Sequence, residues 1–413
     1  MSAPGPAGEA GSETNGAAGA GTGEAQGTGE AQGTGEAHGT GEAHGTGEAQ
    51  GTPRRIAYGV DVGGTKILGV AISPDGDTIA ERRVPTPRQA AATAARGHGG
   101  GTGPREVRAG SGTHPGDAVA DAIVELLEAL HDDVVAQAPA PTADLTEVPV
   151  GIGVAGLVDT EGVLRFSPNL AAASGANIGK LVTERLATGG RLAATPLRSH
   201  NDANCTALAE LVLGAARGMR YGLVVTLGTG IGGALVIGGR VHGGARGFAG
   251  EIGHMVVDPT GPLCPCGHRG CWERFASGSG LTRLAREAAV AGMLHESVRL
   301  AGGDPEHVTG EHVTAAAAEG DVDALRVIED LGWWVGLGLA NLVAILDPER
   351  IVVGGGLGHA GEMLLEPARR ALAELVEGGA ARGPVPVVEA ALGEHAGAVG
   401  AALAALTGSF DDG

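Results

Sequence analysis

The sequence predicts an α/β fold with mixed sheets, and three observations carry that expectation. Two stretches share one plan of apolar strand, glycine turn and apolar strand: "GVDVGGTKILGVAI" at 59–72 and "LVVTLGTGIGGALVIGG" at 223–239. The run "GDAVADAIVELLEALHDDV" has apolar residues at helical spacing. "VPVGIGVAGLVD" reads as a buried strand with a turn, and strand and helix patterns then alternate to the C-terminus.

Residues 1–53 hold Gly, Ala, Glu and Thr, with "GTGEAQ" or "GTGEAH" in tandem from Gly21 to Gln50. Such a segment buries too little apolar surface to offset backbone entropy, so a disordered tail is expected. Residues 96–116, rich in glycine and charge, read as a flexible surface insertion. At 413 residues and 43% hydrophobic content the chain can fill two domains. A net charge of −20 and 2% aromatic content argue against nucleic acid and anionic membranes as partners. The longest apolar run, at 331–346, falls short of the ~20 residues that span a bilayer and reads as a core helix. The start of the chain lacks the pattern of a signal peptide, so a cytoplasmic, reducing location is expected.

Neither glycine turn fits the phosphate loop that opens a helix, because strand continues after each one. Gly63 and Gly64, without Cβ atoms, let backbone N–H groups approach an anion. Thr65 and Lys66 add a hydroxyl and a cation, and Asp61 is placed to hold a metal-bound water. Lys66 and Lys180 are the only lysines in the chain. A third glycine turn follows the strand of "LDPERIVVGGGLG", where Gly354, Gly355 and Gly356 leave room for a flat ring against backbone. Plain turns explain each of the three taken singly; their co-occurrence points to phosphate and nucleotide.

"LRSHNDANCTALAELVLG" places Asn201 and Asp202 just before a helix expected to open at Ala203. Either residue suits a helix N-cap. Asp202 also suits a general base, kept ionised by the helix N-terminus and aimed at a sugar hydroxyl as it attacks phosphorus.

Three of the four cysteines, Cys264, Cys266 and Cys271, crowd into "CPCGHRGC". Three thiolates on a turn loosened by Gly267 and Gly270 suit a structural zinc, with His254 or His268 as fourth ligand. A disulfide would leave one of them over. Glu251, His254 and Glu273 flank the loop. With one ring nitrogen of His254 on the metal, the other carries a proton outward, and two carboxylates beside it suit a polyhydroxyl ligand.

From about Tyr58 to Leu406 the chain resembles a ROK-family sugar kinase, specifically a bacterial ROK glucokinase. "DVGGTK", "NDAN", "LGTGIGG", "EIGH", "CPCGHRGCWE" and "VVGGGL" occur in the family's order, and C-x-C-G-x-x-G-C-x-E is highly specific. The tail and the 96–116 insertion fall outside the likeness. The resemblance implies an actin-like (ribonuclease H-like) fold of two domains around a central cleft. The smaller lobe is expected over 54–199, joined by a C-terminal helix at 395–413, and the larger over 200–394 with the zinc loop. It implies Asp202 as catalytic base and Asn201, Asp202, Glu251, His254 and Glu273 as sugar ligands. His254, Cys264, Cys266 and Cys271 become the zinc ligands. Asp61, Gly63, Gly64, Thr65, Lys66, Gly228, Thr229, Gly230 and Gly232 cradle phosphates, with Gly354, Gly355 and Gly356 on the adenosine side.

The expected activity is ATP- and Mg²⁺-dependent phosphorylation of glucose at its 6-hydroxyl by a homodimer or homotetramer. Mannose, fructose or an N-acetylated amino sugar are alternative substrates, and polyphosphate an alternative donor. A sugar-responsive regulator without catalysis is the rival from another class. Where relatives carry "NL" followed closely by Trp, this chain has Asn169 and Leu170 leading into "AAASG", a departure near the sugar.

Overall fold

The computed structural model describes residues 55–87, 114–137, 148–189, 192, 197–408 and 410. The tail expected over 1–53, and residues 96–113 of the expected insertion, lie outside the described residues.

Strands β1 (Ala57–Val62), β2 (Lys66–Ile72), β3 (Thr78–Pro85) and β4 (Val150–Val154) precede a small antiparallel pair, β5 (Leu157–Val158) and β6 (Leu164–Phe166). β7 (Ser199–Asn201), β8 (Tyr221–Leu227), β9 (Ile231–Ile237), β10 (Arg240–His242), β11 (Arg350–Gly354) and β12 (Val387–Glu389) follow. The helices are α1 (Asp117–Gln137), α2 (Ile178–Gly189), α3 (Asp202–Val212), α4 (Glu273–Ala276), α5 (Gly278–Val290), α6 (His295–Leu300), α7 (Gly310–Ala318), α8 (Val322–Leu346), α9 (Glu362–Leu375), α10 (Gly379–Arg382) and α11 (Ala396–Thr407).

Two five-stranded sheets repeat one topology. The first runs β3-β2-β1-β4-β7 and the second β10-β9-β8-β11-β12. In each, the first three strands form an antiparallel meander and the last two add parallel to its first strand. This duplicated mixed sheet is the α/β, actin-like arrangement. Both glycine hairpins of the sequence sit at the same place, the turn between the first and second strand of each sheet. β7 carries the first sheet to Asn201.

The first sheet is covered on both faces, which explains why β1 and β2 are nearly all apolar. Tyr58, Val60, Val62 and Ile67 pack with Ile123 and Leu127 of α1. On the other face Ala57, Leu68, Val70 and Ile72 pack with Val399 and Leu403 of α11. The last helix comes unusually near. A Cβ at Gly59 would collide with the Ala398 carbonyl, and one at Gly151 with that of Ala401, so only glycine fits there.

α3 links the two sheets. Its Leu208 and Ala209 join the cluster under the first sheet, while Ala207 joins Val224, Ala234, Val236 and Val352 of the second. The N-terminus of α3 is thus fixed between both sheets. On its far face the second sheet packs Leu223, Val225, Ile351 and Val353 against Leu331, Val335 and Leu339 of α8. α8 is long and apolar enough to cross a membrane, yet over half of its most apolar window is buried inside the fold, packed on α9 and α4.

Candidate active site

The cap at the start of α3 separates two neighbouring side chains by function. The Asn201 side chain accepts from the Asn204 N–H at 2.9 Å and donates to the Gly156 carbonyl at 3.1 Å. Capping thus falls to Asn201, and the helix opens at Asp202 rather than Ala203. The Asp202 carboxylate, left free of capping, accepts from the Ala203 N–H at 2.9 Å. Its carboxyl is pushed above the ordinary range by burial, which outweighs that backbone hydrogen bond. The backbone N–H groups at the helix start hold the proton affinity of Asp202 down, as expected, but by less than burial raises it.

Three further carboxylates gather around it. Asp61, on β1, is raised to about 7 by burial and by the neighbouring Asp202 charge, against a smaller opposing effect of Lys66. Glu251 is likewise raised to about 7 by burial, then by Asp202 and Glu273. It caps a single 3-10 turn, Ile252–His254, which brings His254 Nε2 to 4.0 Å from Glu251 Oε2. The opposite ring nitrogen, Nδ1, lies 3.8 Å from Glu273 Oε1 and 3.8 Å from Cys264 Sγ.

The cysteine loop folds as its glycines suggest. Gly267 and Gly270 take φ of 97° and 72°, and the Cys264 N–H donates to the His268 carbonyl at 2.7 Å. His254, Cys264, Cys266 and Cys271 present four ligand atoms within 4.8 Å of one another. Cys266 and Cys271 are 3.6 Å apart at sulfur. A tetrahedral zinc with ordinary Zn–S bonds needs an edge of about 3.8 Å, so the donor set fits the ion in number, type and spacing. All four cysteines, Cys205 included, are free thiols. His268, the other histidine considered, stands outside the group with Nδ1 3.7 Å from Cys266 Sγ. The Cys264 thiol donates to Glu273 Oε1 at 3.0 Å, and burial followed by that carboxylate pushes its pKa far up.

Both glycine turns are braced. In the first, the Gly63 N–H donates to the Lys66 carbonyl at 3.0 Å, and the Thr86 hydroxyl donates to the Gly63 carbonyl at 2.7 Å. Asn169 rests on Gly64: a Cβ there would lie 2.7 Å from the Asn169 Cβ. In the second, the Gly278 and Ser279 N–H groups at the start of α5 donate to the Gly228 and Thr229 carbonyls at 2.8 and 3.2 Å. Glu273 Oε2 occupies the space that a side chain at Gly230 would need, and Gly232 clears room for Ala203. In the third, Gly355 has φ 90° and presses against the Leu227 backbone, while Gly354 ends β11.

A cavity of about 1290 Å³ joins these parts, lined among others by Lys66, Gly228, Thr229, Arg274, Ser279 and Gly356. Thr65 instead faces a separate hollow beside Pro85 and Thr86. Three contributors carried no motif. Glu394 accepts from Lys66 at 2.8 Å and from Arg83 at 2.7 Å, and is held down at about 2 by those two hydrogen bonds. Arg274 and Ser279 line the cavity from α4 and α5. Glu394 was invisible because 328 residues separate it from Lys66.

The ROK family model matches residues 110–407. The chain is similar to the glucokinase of Streptomyces coelicolor, at 34% identity over 352 residues covering 84% of this chain and 96% of that protein. It is similar to the crystal structure of a ROK family glucokinase from Streptomyces griseus in complex with glucose and AMPPNP. The TM-score is 0.69 and the identity 33%, over 84% of this chain and 98% of that one. Similarity to the xylose repressor of Bacillus subtilis is narrower: 28% identity over 220 residues, 53% of this chain and 51% of the repressor.

Proposed function

The chain belongs to the ROK family, and from that footing we propose that it is a glucokinase, transferring the terminal phosphoryl group of ATP to the 6-hydroxyl of D-glucose. The observation that carries this reading is the convergence of Asp202, Glu251 and Glu273 beside the Gly228–Gly230 turn, which opens on a cavity of nucleotide size.

Glucose is held by Asn201, Glu251, His254 and Glu273. Asp202 accepts the proton of the 6-hydroxyl as its oxygen attacks the γ-phosphorus. Its raised proton affinity suits that task, because a base too weak to hold a proton gives little help. The transfer itself depends mostly on orientation and on charge stabilisation. Backbone N–H groups of the two glycine turns, with Lys66, supply part of that stabilisation, and Gly354–Gly356 leave room for the adenine.

Asp61 and Asp202 are the residues that would hold Mg²⁺. Both carboxylates are buried, and the Asp202 charge raises the proton affinity of Asp61; such a pair is a fitting site for a cation, which when bound would neutralise phosphate charge. His254, Cys264, Cys266 and Cys271 would hold a structural zinc, which fixes the loop bearing Glu273. Assembly as a homodimer or homotetramer is part of the same reading, with the exposed Trp333 and Ile345 of α8 offering apolar surface. The reaction draws on ATP and so belongs in the cytoplasm.

A coupled assay over glucose, mannose, fructose and N-acetylated amino sugars, with ATP and polyphosphate as donors, tests the proposal. Glucose with ATP is expected to give the highest kcat/KM. No turnover of glucose with any donor would refute it.

A further inference from the structure

Four cationic side chains line the large cavity: Lys66, Arg274, Arg283 and Arg286. Three are engaged. Lys66 pairs with Glu394 at 2.8 Å, Arg283 reaches Glu287 at 2.8 and 2.9 Å, and Arg286 Nε donates to the Val308 carbonyl at 2.9 Å. Arg274 differs. Its Nη1 donates to the Ser279 hydroxyl at 3.0 Å, while its Nε–H is buried without an acceptor. Among the described residues no carboxylate pairs with its guanidinium. A partly buried guanidinium with an unmade hydrogen bond is costly until an acceptor, best an anion, completes it.

Its position says which anion. Arg274 follows Glu273 in α4, and one step along a helix turns a side chain by about 100°. Glu273 accordingly reaches the His254 side of the site and Arg274 the cavity. Ser279, which holds Nη1, also gives its N–H to the Thr229 carbonyl, so the guanidinium is tied to the glycine turn itself. Thr229, Arg274 and Ser279 all line the cavity within that one small network.

We propose that Arg274 binds the phosphoryl groups of the donor nucleotide beyond its α-phosphate, presenting Nε–H and the free edge of the guanidinium to their non-bridging oxygens while Ser279 fixes the plane of the fork. The planar, paired donors of arginine match phosphate oxygens, which a lysine at this position would meet only as a point charge. This inference rests on reading the cavity as the ATP site.

The experiment compares full-length wild type with Arg274→Lys, Arg274→Gln and Arg274→Ala. Calorimetry measures affinity for AMPPNP and for AMP, and the coupled assay measures both KM values and kcat. Expected for the Gln and Ala variants is a loss of about 10- to 100-fold in AMPPNP affinity and a matching rise in KM for ATP. AMP affinity and the glucose KM stay within about twofold, the Lys variant lies between, and millimolar guanidinium restores part of the Ala loss. AMPPNP affinity within twofold of wild type in all three variants overturns the proposal. So does an equal loss for AMP and AMPPNP, because Arg274 would then only hold the shape of the cavity. If wild type binds AMPPNP but phosphorylates no hexose, the transferase reading falls while the binding comparison still decides the role of Arg274. If wild type binds neither nucleotide, both fall.

Discussion

The indole N–H of Trp272 donates to the backbone carbonyl of Trp334 at 2.7 Å, joining the end of the cysteine loop to the long helix α8. The indole is fully buried and fits a notch at Gly338, one helical turn beyond Trp334, where any Cβ would run into its ring. The Trp272 N–H in turn donates to the Met255 carbonyl at 2.8 Å. His254 precedes Met255, and Cys271 and Glu273 flank Trp272. One residue, through its indole and its backbone N–H, therefore anchors both halves of the sugar bracket to the core of the second sheet.

Trp272→Phe and Gly338→Ala, made separately, are expected to loosen that anchor. Each should destabilise the fold by about 1–3 kcal/mol through a lost hydrogen bond or overpacking. Each should also raise the glucose KM several-fold while leaving the ATP KM near wild type. Chemical denaturation and steady-state kinetics check this, and an unchanged glucose KM in both variants refutes the anchoring role.

Asp202→Asn removes the base while keeping the size of the side chain. A fall in kcat of about 10³-fold is expected, with glucose affinity within a few-fold of wild type. Near-normal kcat would rule out Asp202 as the proton acceptor.

Mass spectrometry of the purified protein should find about one zinc per chain. Cys266→Ser should lose that metal, melt at a lower temperature and bind glucose more weakly, because metal affinity is folding energy. Fully active protein free of zinc would exclude the assignment of these four ligands.

The raised carboxyls give a pH signature. Asp61 and Glu251, both at about 7 in the fold, start from ordinary values of 3.8 and 4.5. The folded state therefore binds more protons than the unfolded state between about pH 4 and 7. Their contribution to stability is present below pH 4 and is lost as pH rises through 7. Without Mg²⁺ or substrates, Asp61→Asn should melt about 5 °C above wild type at pH 8 and show little difference at pH 4. Conversely, kcat/KM for glucose should climb with pH through a midpoint at about 7, since Glu251 accepts sugar hydroxyls more strongly when ionised. A pH-independent gap between the two melting curves would contradict the Asp61 assignment.

Features written in short contiguous motifs were the legible ones. The two hairpins and the cysteine loop follow from glycine placement and thiol spacing, so Gly63, Gly228, Gly267 and Cys264 sit where their sequence neighbours indicate. The duplicated strand order was only half visible, because β10 and β12 are three residues each and carry little pattern. What the sequence concealed depends on tertiary burial. The proton affinity of Asp202 is set by the sheets closing around α3, which no local motif records. The Lys66–Glu394 pair and the Trp272 anchor join segments far apart in the chain, and the unmade hydrogen bond of Arg274 exists only because α4 and α5 meet at the cavity.

The seating of α11 on β1 and β4 has a consequence for biosynthesis. The strands it covers are complete by Asn201, yet the helix starts at Ala396. At about 5–20 residues per second a ribosome needs roughly 10–40 s to cross that interval. During those seconds one apolar side of the nascent sheet stands open, with Leu68, Val70 and Ile72 lacking the cover of Val399 and Leu403. Truncation before Ala396 should therefore yield a chaperone-dependent, aggregating product rather than a smaller working enzyme.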